Sequence, residues 1–274
     1  MTSLRNEQRG LTIVEMLVTL PIAAIIIVYL VGVLFNQYGS VLAESARADL
    51  RSSGQALLTN LQDELLFTIE YGQGLDVYLS DPYVPQTAEY QTGPSVYEWT
   101  YDTTPQTLII YEVALDSARA DDDRNIIRRR LNPCATSAVS SNTAAINNII
   151  YFVEDGPDSR YQRLVKRVIT PTYDLCSIDR STGDPCQPAT STCLGLAKQT
   201  TCPEANVGTG SCVRSDSVLS ENVLDFEIDY FASNNVPTTS PSAAEKIEIT
   251  LTLGDNVYGR DVEVEVKHAI RKIN

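Results

Sequence analysis

Arg9-Gly10-Leu11-Thr12-Ile13-Val14-Glu15-Met16-Leu17-Val18-Thr19-Leu20 decides how the rest of this chain is read. It opens an apolar run that lasts to Phe35, with one carboxylate, Glu15, near its start. About 20 apolar residues suffice to cross a bilayer. The run therefore reads as a spanning helix over residues 11–36, behind a polar leader at residues 1–10. Arg5 and Arg9 precede it, and no Lys or Arg returns until Arg47. The positive-inside rule then puts the N-terminus in the cytoplasm, the span in the cytoplasmic membrane and the remainder outside. A cleavable secretory peptide fits less well, because its apolar region is roughly 7–15 residues with a small-x-small site behind it. Tyr29 to Phe35 offers no such site. A charge at the centre of such a helix costs ~2.5–3.5 kcal/mol; near its end the cost falls, but Glu15 still asks for a partner.

The basic leader, Gly10, Leu11-Thr12-Ile13-Val14-Glu15 and the unbroken apolar stretch resemble, over residues 5–35, the class III signal of type IV prepilins and pseudopilins. Leu11 departs from the pattern, since Phe is commoner there, and Pro21 lies inside the span. The resemblance implies cleavage after Gly10 by a prepilin peptidase and N-methylation of the new first residue, Leu11. It also implies that Glu15 is an assembly residue meeting the α-amino group of a neighbouring subunit. Neither charge is tolerable alone in a low-dielectric filament core, and together they attract strongly.

The 274 residues carry a formal net charge of −14. A generic nucleic-acid binder needs a basic face for phosphates, so that class is not expected. Arg124, Arg128, Arg129 and Arg130 cluster, as do Lys267, His268, Arg271 and Lys272, and both groups read as solvated surface. Six cysteines, Cys134, Cys176, Cys186, Cys193, Cys202 and Cys212, all lie in the part expected outside the cytoplasm. An even count there reads as three disulfides, with fifteen possible pairings. With no C-x-x-C and a single His, a zinc site is not expected.

Past the span, residues 37–70 read as an amphipathic continuation of the helix. Leu42, Ala46, Leu50, Leu57, Leu61, Leu65 and Ile69 form the apolar stripe, with Gly54 in a longer gap. Tyr71-Gly72-Gln73-Gly74 is expected to stop it. Residues 71–274 read as a β-rich head. Residues 75–107 form loops and short strands, with Val96–Tyr101 as one strand. Leu108–Leu115 is a strong strand, and residues 132–147 a Ser/Thr/Ala/Asn-rich linker. Asp121-Asp122-Asp123 invites calcium, but without D-x-D-x-D-G spacing it reads as a solvated acidic turn. Ile149–Val153 and Tyr161–Ile169 pair around Asp155-Gly156-Pro157-Asp158. This hairpin is weakly similar to the middle hairpin of larger minor pilins and pseudopilins of the PilW and PulJ kind.

Residues 170–217 are a Cys-rich insertion that needs disulfides as staples. In the last third, Leu224, Phe226, Ile228 and Tyr230 alternate with acids. Ile247, Ile249, Leu251 and Leu253, and then Val262, Val264 and Val266, alternate with polar residues. Strict period two gives one buried and one wet face, and Gly254-Asp255-Asn256 is the expected turn between the last two strands. The fold class is α+β, a long N-terminal transmembrane and amphipathic helix packed on an antiparallel sheet, as in type IV pilins.

No G-x-S-x-G, H-E-x-x-H or phosphate-cradling loop occurs, and His268 has no evident nucleophile beside it and reads as a surface residue. No catalytic site, cofactor or metal is expected. The resemblance implies a minor pilin or pseudopilin of a type IV pilus or related secretion or DNA-uptake filament. Its partners would be other pilin subunits, the prepilin peptidase/N-methyltransferase and, before assembly, membrane lipid. The alternative is a signal-anchored extracytoplasmic adhesin or binding module that never enters a filament.

Overall fold

The structure is a computed structural model. It describes residues 13–66, 68–76, 79, 81–85, 89–93, 96–103, 106–115, 126–130, 140–171, 176–177, 197–209 and 212–272. Among these residues, in chain order, are one long helix, α1 (Ile13–Leu65), and fourteen strands: β1 (Glu70–Gly72), β2 (Glu89–Gly93), β3 (Val96–Trp99), β4 (Leu108–Val113), β5 (Ile127–Arg130), β6 (Ser140–Ala144), β7 (Ile146–Asp155), β8 (Gln162–Ile169), β9 (Cys176–Ser177), β10 (Thr201–Cys202), β11 (Arg214–Ser215), β12 (Ser217–Phe231), β13 (Lys246–Val257) and β14 (Arg260–Arg271). The fold class is thus α+β. Two compact units divide the chain, Met1–Asp49 with Asn256–Val262, and Leu50–Asp255 with Glu263–Asn274; α1 runs through the boundary between them.

Up to Phe35, α1 is apolar and uncovered in its described side chains. Ile13 is 84% exposed and Phe35 74%, and the large apolar side chains between them are exposed as well. Pro21 sits inside the helix, where a missing backbone donor is tolerated in a membrane setting. The β13–β14 tip also belongs to the first unit; there Arg260 donates to Asn36 and its guanidinium carbon lies 3.7 Å from where a Cβ on Gly39 would stand.

The second unit is built on a seven-stranded sheet of order β1-β4-β7-β8-β12-β13-β14, antiparallel at each pairing from β1 to β13. The second half of α1 lies on one face. Its buried residues there are Leu50, Gly54, Leu58, Leu61 and Leu65, close to the expected stripe but centred on Gly54. A Cβ at Gly54 would lie 2.9 Å from Val266 and 3.0 Å from Leu253, so the glycine allows the helix backbone to meet the sheet directly. The expected gap in the stripe is its point of closest approach.

Towards its β14 end the sheet behaves as the alternation predicts. Phe226, Ile228 and Tyr230, then Ile247, Ile249, Leu251 and Leu253 of β13, and Val262, Val264 and Val266 are buried, while Asp225, Glu227, Asp229, Glu263 and Glu265 are exposed. Leu224 breaks the pattern. A register shift between Val223 and Asp225 makes Val223 the buried residue and leaves Leu224 half-buried, the added residue of a bulge. In β7 every residue from Asn147 to Val153 is buried, because the sheet is covered on both sides there. Trp99, Ile109, Ile150, Phe152, Val165 and Ile169 form a core on the face away from Glu64 of α1, with Leu75, Leu79 and Val84 packed against it.

Several local expectations need correction. The helix ends at Leu65, not Ile69: the Ile69 N–H donates to the Tyr111 carbonyl and Glu70–Gly72 joins the sheet beside β4. Gly72 is a close-packed position where a Cβ would lie 2.7 Å from the Tyr111 ring. The linker at 132–147 includes β6 and the start of β7, with Asn147 and Asn148 buried. Asn148 Oδ1 accepts from the Asp76 N–H; a buried polar residue with a bond to make can sit in a strand.

Gly254 does not turn the chain. It lies within β13, where a Cβ would meet Leu224 Cδ1 at 2.6 Å and the Tyr161 ring at 2.9 Å. The reversal comes later, at Tyr258 and Gly259, with φ of 53° and 78°. Gly254→Ala is therefore expected to cost ~1–3 kcal/mol through overpacking. A thermal melt of the purified protein checks this, and an unchanged melting temperature would refute the packing role.

Candidate functional site

The residues expected to carry processing lie mostly outside the described part. Gly10 and Leu11 fall before it; Glu15 belongs to α1, but its side chain is not among those described. What the structure does give is the surface these residues lead into, an apolar helix long enough to span a membrane. None of its most apolar stretch is buried. The helix is a candidate membrane anchor or signal sequence. An apolar surface this continuous needs lipid or protein over it.

Where α1 crosses the sheet, a charged seam fixes it. Glu64 accepts hydrogen bonds from Tyr151 on β7 and from Lys166 on β8. Lys198 lies 3.2 Å from Glu64 and 2.5 Å from Glu112 on β4. Burial pushes the Glu64 carboxyl up, but the bonds from Lys166 and Tyr151 and the charges of Lys166 and Lys198 outweigh it, so its pKa lies below the ordinary value. Tyr151 moves the other way, raised by burial and by the neighbouring Glu64 charge. A carboxylate held by this many donors is a weak base, so the seam ties helix to sheet rather than offering acid–base chemistry. Beside it Ser53, Ala56, Leu57, Asn60 and Leu219 line an open cleft of about 420 Å³. On the same stretch of helix Gln62 lies 2.6 Å from the half-buried His268 ring, which is thus not a free surface residue.

The opposite face holds a buried cation. Lys166 and Arg167 are neighbours in β8, so period two sends them to opposite sides of the sheet. The Arg167 guanidinium is 1% exposed, with Asp216 at 2.6 Å, Asp81 at 2.9 Å and the Tyr83 carbonyl at 2.6 Å. It lies 5.4 Å from the centre of the Trp99 ring and 5.2 Å from that of Phe152. Asp81 also accepts from the Trp99 indole N–H at 2.8 Å. Burial works against the charge, but the two carboxylates raise the Arg167 pKa overall.

Asp216 is placed by the Cys-rich segment. Its N–H donates to the Cys202 carbonyl and its carboxylate accepts from Thr201. β10 and β11 pair in parallel, and the Cys202–Cys212 disulfide, with Cα atoms 5.9 Å apart, closes them. Cys134, Cys186 and Cys193 lie outside the described residues, as do Asp121-Asp122-Asp123; Cys176 is in β9, its side chain not among those described. Among the described residues no group of three or more His, Cys, Asp or Glu is placed to hold a metal ion.

Compared with family models, with curated proteins and with solved structures, the chain matches none.

Two measurements test the seam and the buried cation. Glu64→Gln is expected to cost ~1–2 kcal/mol near neutral pH. Because the folded pKa of Glu64 is depressed, its contribution is present above the unfolded value of ~4.3 and is lost as pH falls through the folded one. The stability gap between the two proteins should thus be constant around pH 7 and close under acid conditions; a gap that widens in acid would refute the assignment. Arg167→Ala strands two buried carboxylates and is expected to cost ~3–5 kcal/mol. Arg167→Lys should recover little of it, since an ammonium cannot reproduce the forked contacts. Denaturant titration of the three proteins decides.

Proposed function

We propose that this protein is a minor pilin or pseudopilin, a structural subunit of a type IV pilus or a related secretion or DNA-uptake filament. The observation that carries the reading is the division of labour along α1. One helix of 53 residues is apolar and uncovered in its first half, and in its second half buries a narrow stripe on an antiparallel sheet. A plain membrane tether needs only the first property, since a flexible linker would serve beyond the membrane. The Gly10–Glu15 signal motif supports the same reading.

In this mechanism the precursor waits in the cytoplasmic membrane with its head outside. Prepilin peptidase cuts after Gly10, and Leu11 becomes an N-methylated terminus. The helix then leaves lipid for a bundle of like helices. Apolar burial, worth ~25 cal/mol per Å² removed from lipid-free solvent, does not distinguish lipid from neighbouring helices. Register is therefore set by the one polar pairing available, the new α-amino group with Glu15 of an adjacent subunit.

Mass spectrometry of the mature protein should find N-methyl-Leu11 as the first residue; an intact leader would favour the anchored adhesin or binding module instead. Glu15→Leu should leave the protein in the membrane but sharply reduce its recovery in sheared filaments. Undiminished recovery would end the assembly role of Glu15.

A further inference from the structure

The reversal between β13 and β14 is built at a cost and against a particular place on α1. Tyr258 and Gly259 both have left-handed backbone, φ 53° and 78°, the two-residue turn whose twist suits a hairpin. Asn or Gly is the usual occupant of the first position, and a bulky L side chain there is uncommon. Asn256 braces the turn. Its Oδ1 accepts from the Gly259 N–H at 3.1 Å, and its Nδ2 donates to Asp261 at 2.6 Å. The Tyr258 side chain contributes nothing to this bracing and is 83% exposed. A strained backbone that presents an uncovered aromatic ring calls for a use outside the chain's own packing.

Position says what that use is. Arg260, the next residue but one, donates to Asn36 and lies against Gly39. Asn36 is the first polar side chain after the apolar run that ends at Phe35. The helical run from Ile13 to Phe35 rises ~34 Å at 1.5 Å per residue, enough to cross a hydrocarbon core of ~30 Å and end in the headgroup layer. The turn is therefore pinned to the level of α1 at which hydrocarbon gives way to headgroups. Tyrosine and arginine are the residue types that settle there, the ring among the upper acyl chains, the hydroxyl and guanidinium among phosphates and water.

We infer that the β13–β14 tip is a second membrane contact, in which Tyr258 inserts into the phospholipid interface and Arg260 faces the headgroups. The inference rests on the reading that the first half of α1 sits in a bilayer. It adds that the C-terminal hairpin touches the same bilayer before assembly, and that entering a filament requires extracting this tip as well as the helix.

Tryptophan fluorescence of the full chain in phosphatidylcholine vesicles tests it, with lipids brominated either near the headgroup or deep in the acyl chain. The wild type, whose single tryptophan is the buried Trp99, is the blank. Tyr258→Trp should add emission that shallow bromines quench more strongly than deep ones. Phe35→Trp marks the span itself and should be quenched too. Quenching of Phe35→Trp without quenching of Tyr258→Trp would overturn the inference while leaving the span in the membrane. Quenching of neither would remove both.

Discussion

A helix cannot leave an apolar face in water, and α1 meets that constraint within the chain over only its second half. Beyond Asp49 the covering is internal. Leu50, Leu58, Leu61 and Leu65 are buried, and Gly54 brings the helix backbone against Val266 and Leu253. Before it the chain covers little of the helix, and the described large apolar side chains from Ile13 to Val41 are exposed.

Around this helix the head is held by charges placed on opposite sides of one sheet. Lys166 and Arg167 are sequence neighbours that never share a partner. The first reaches Glu64 on α1, and the second is enclosed by Asp81, Asp216, Trp99 and Phe152. The Arg167 site draws together the segment after β1, the core of β7 and β8, and the segment closed by Cys202–Cys212. The segment closed by Cys202–Cys212 is itself poor in apolar residues. A buried cation with two carboxylates is a directional way to dock such segments, because a misplaced loop would leave charge unpaired.

Period and composition made most of the architecture legible. The apolar run, the stripe along residues 50–65 and the alternation in residues 247–253 and 262–266 each follow from a one-sided environment. What escaped had a two-sided one or a steric cause. Asn147 read as the end of a Ser/Thr/Ala/Asn-rich linker, yet it and its neighbour Asn148 are buried in β7. Gly254 and Gly72 read as punctuation, yet both are places where another side chain needs the room of a missing Cβ. Arg167 had a local signal in hindsight, two adjacent cations in a strand whose neighbours are buried on both faces. The seam at Glu64 had none, since its partners come from strands far along the chain.

The sheet has two ends, and they are treated differently. β1 is three residues long, too short to recruit a foreign strand. β14, last in the order at the other end, runs for twelve residues and would be an inviting template. Its outward row is Asp261, Glu263, Glu265, Lys267 and Arg271, all exposed, the kind of charged border that discourages edge-to-edge growth. With its apolar helix uncovered, this chain already carries one adhesive surface, and the charged border of β14 keeps a long exposed strand from becoming a second, amyloid-like one.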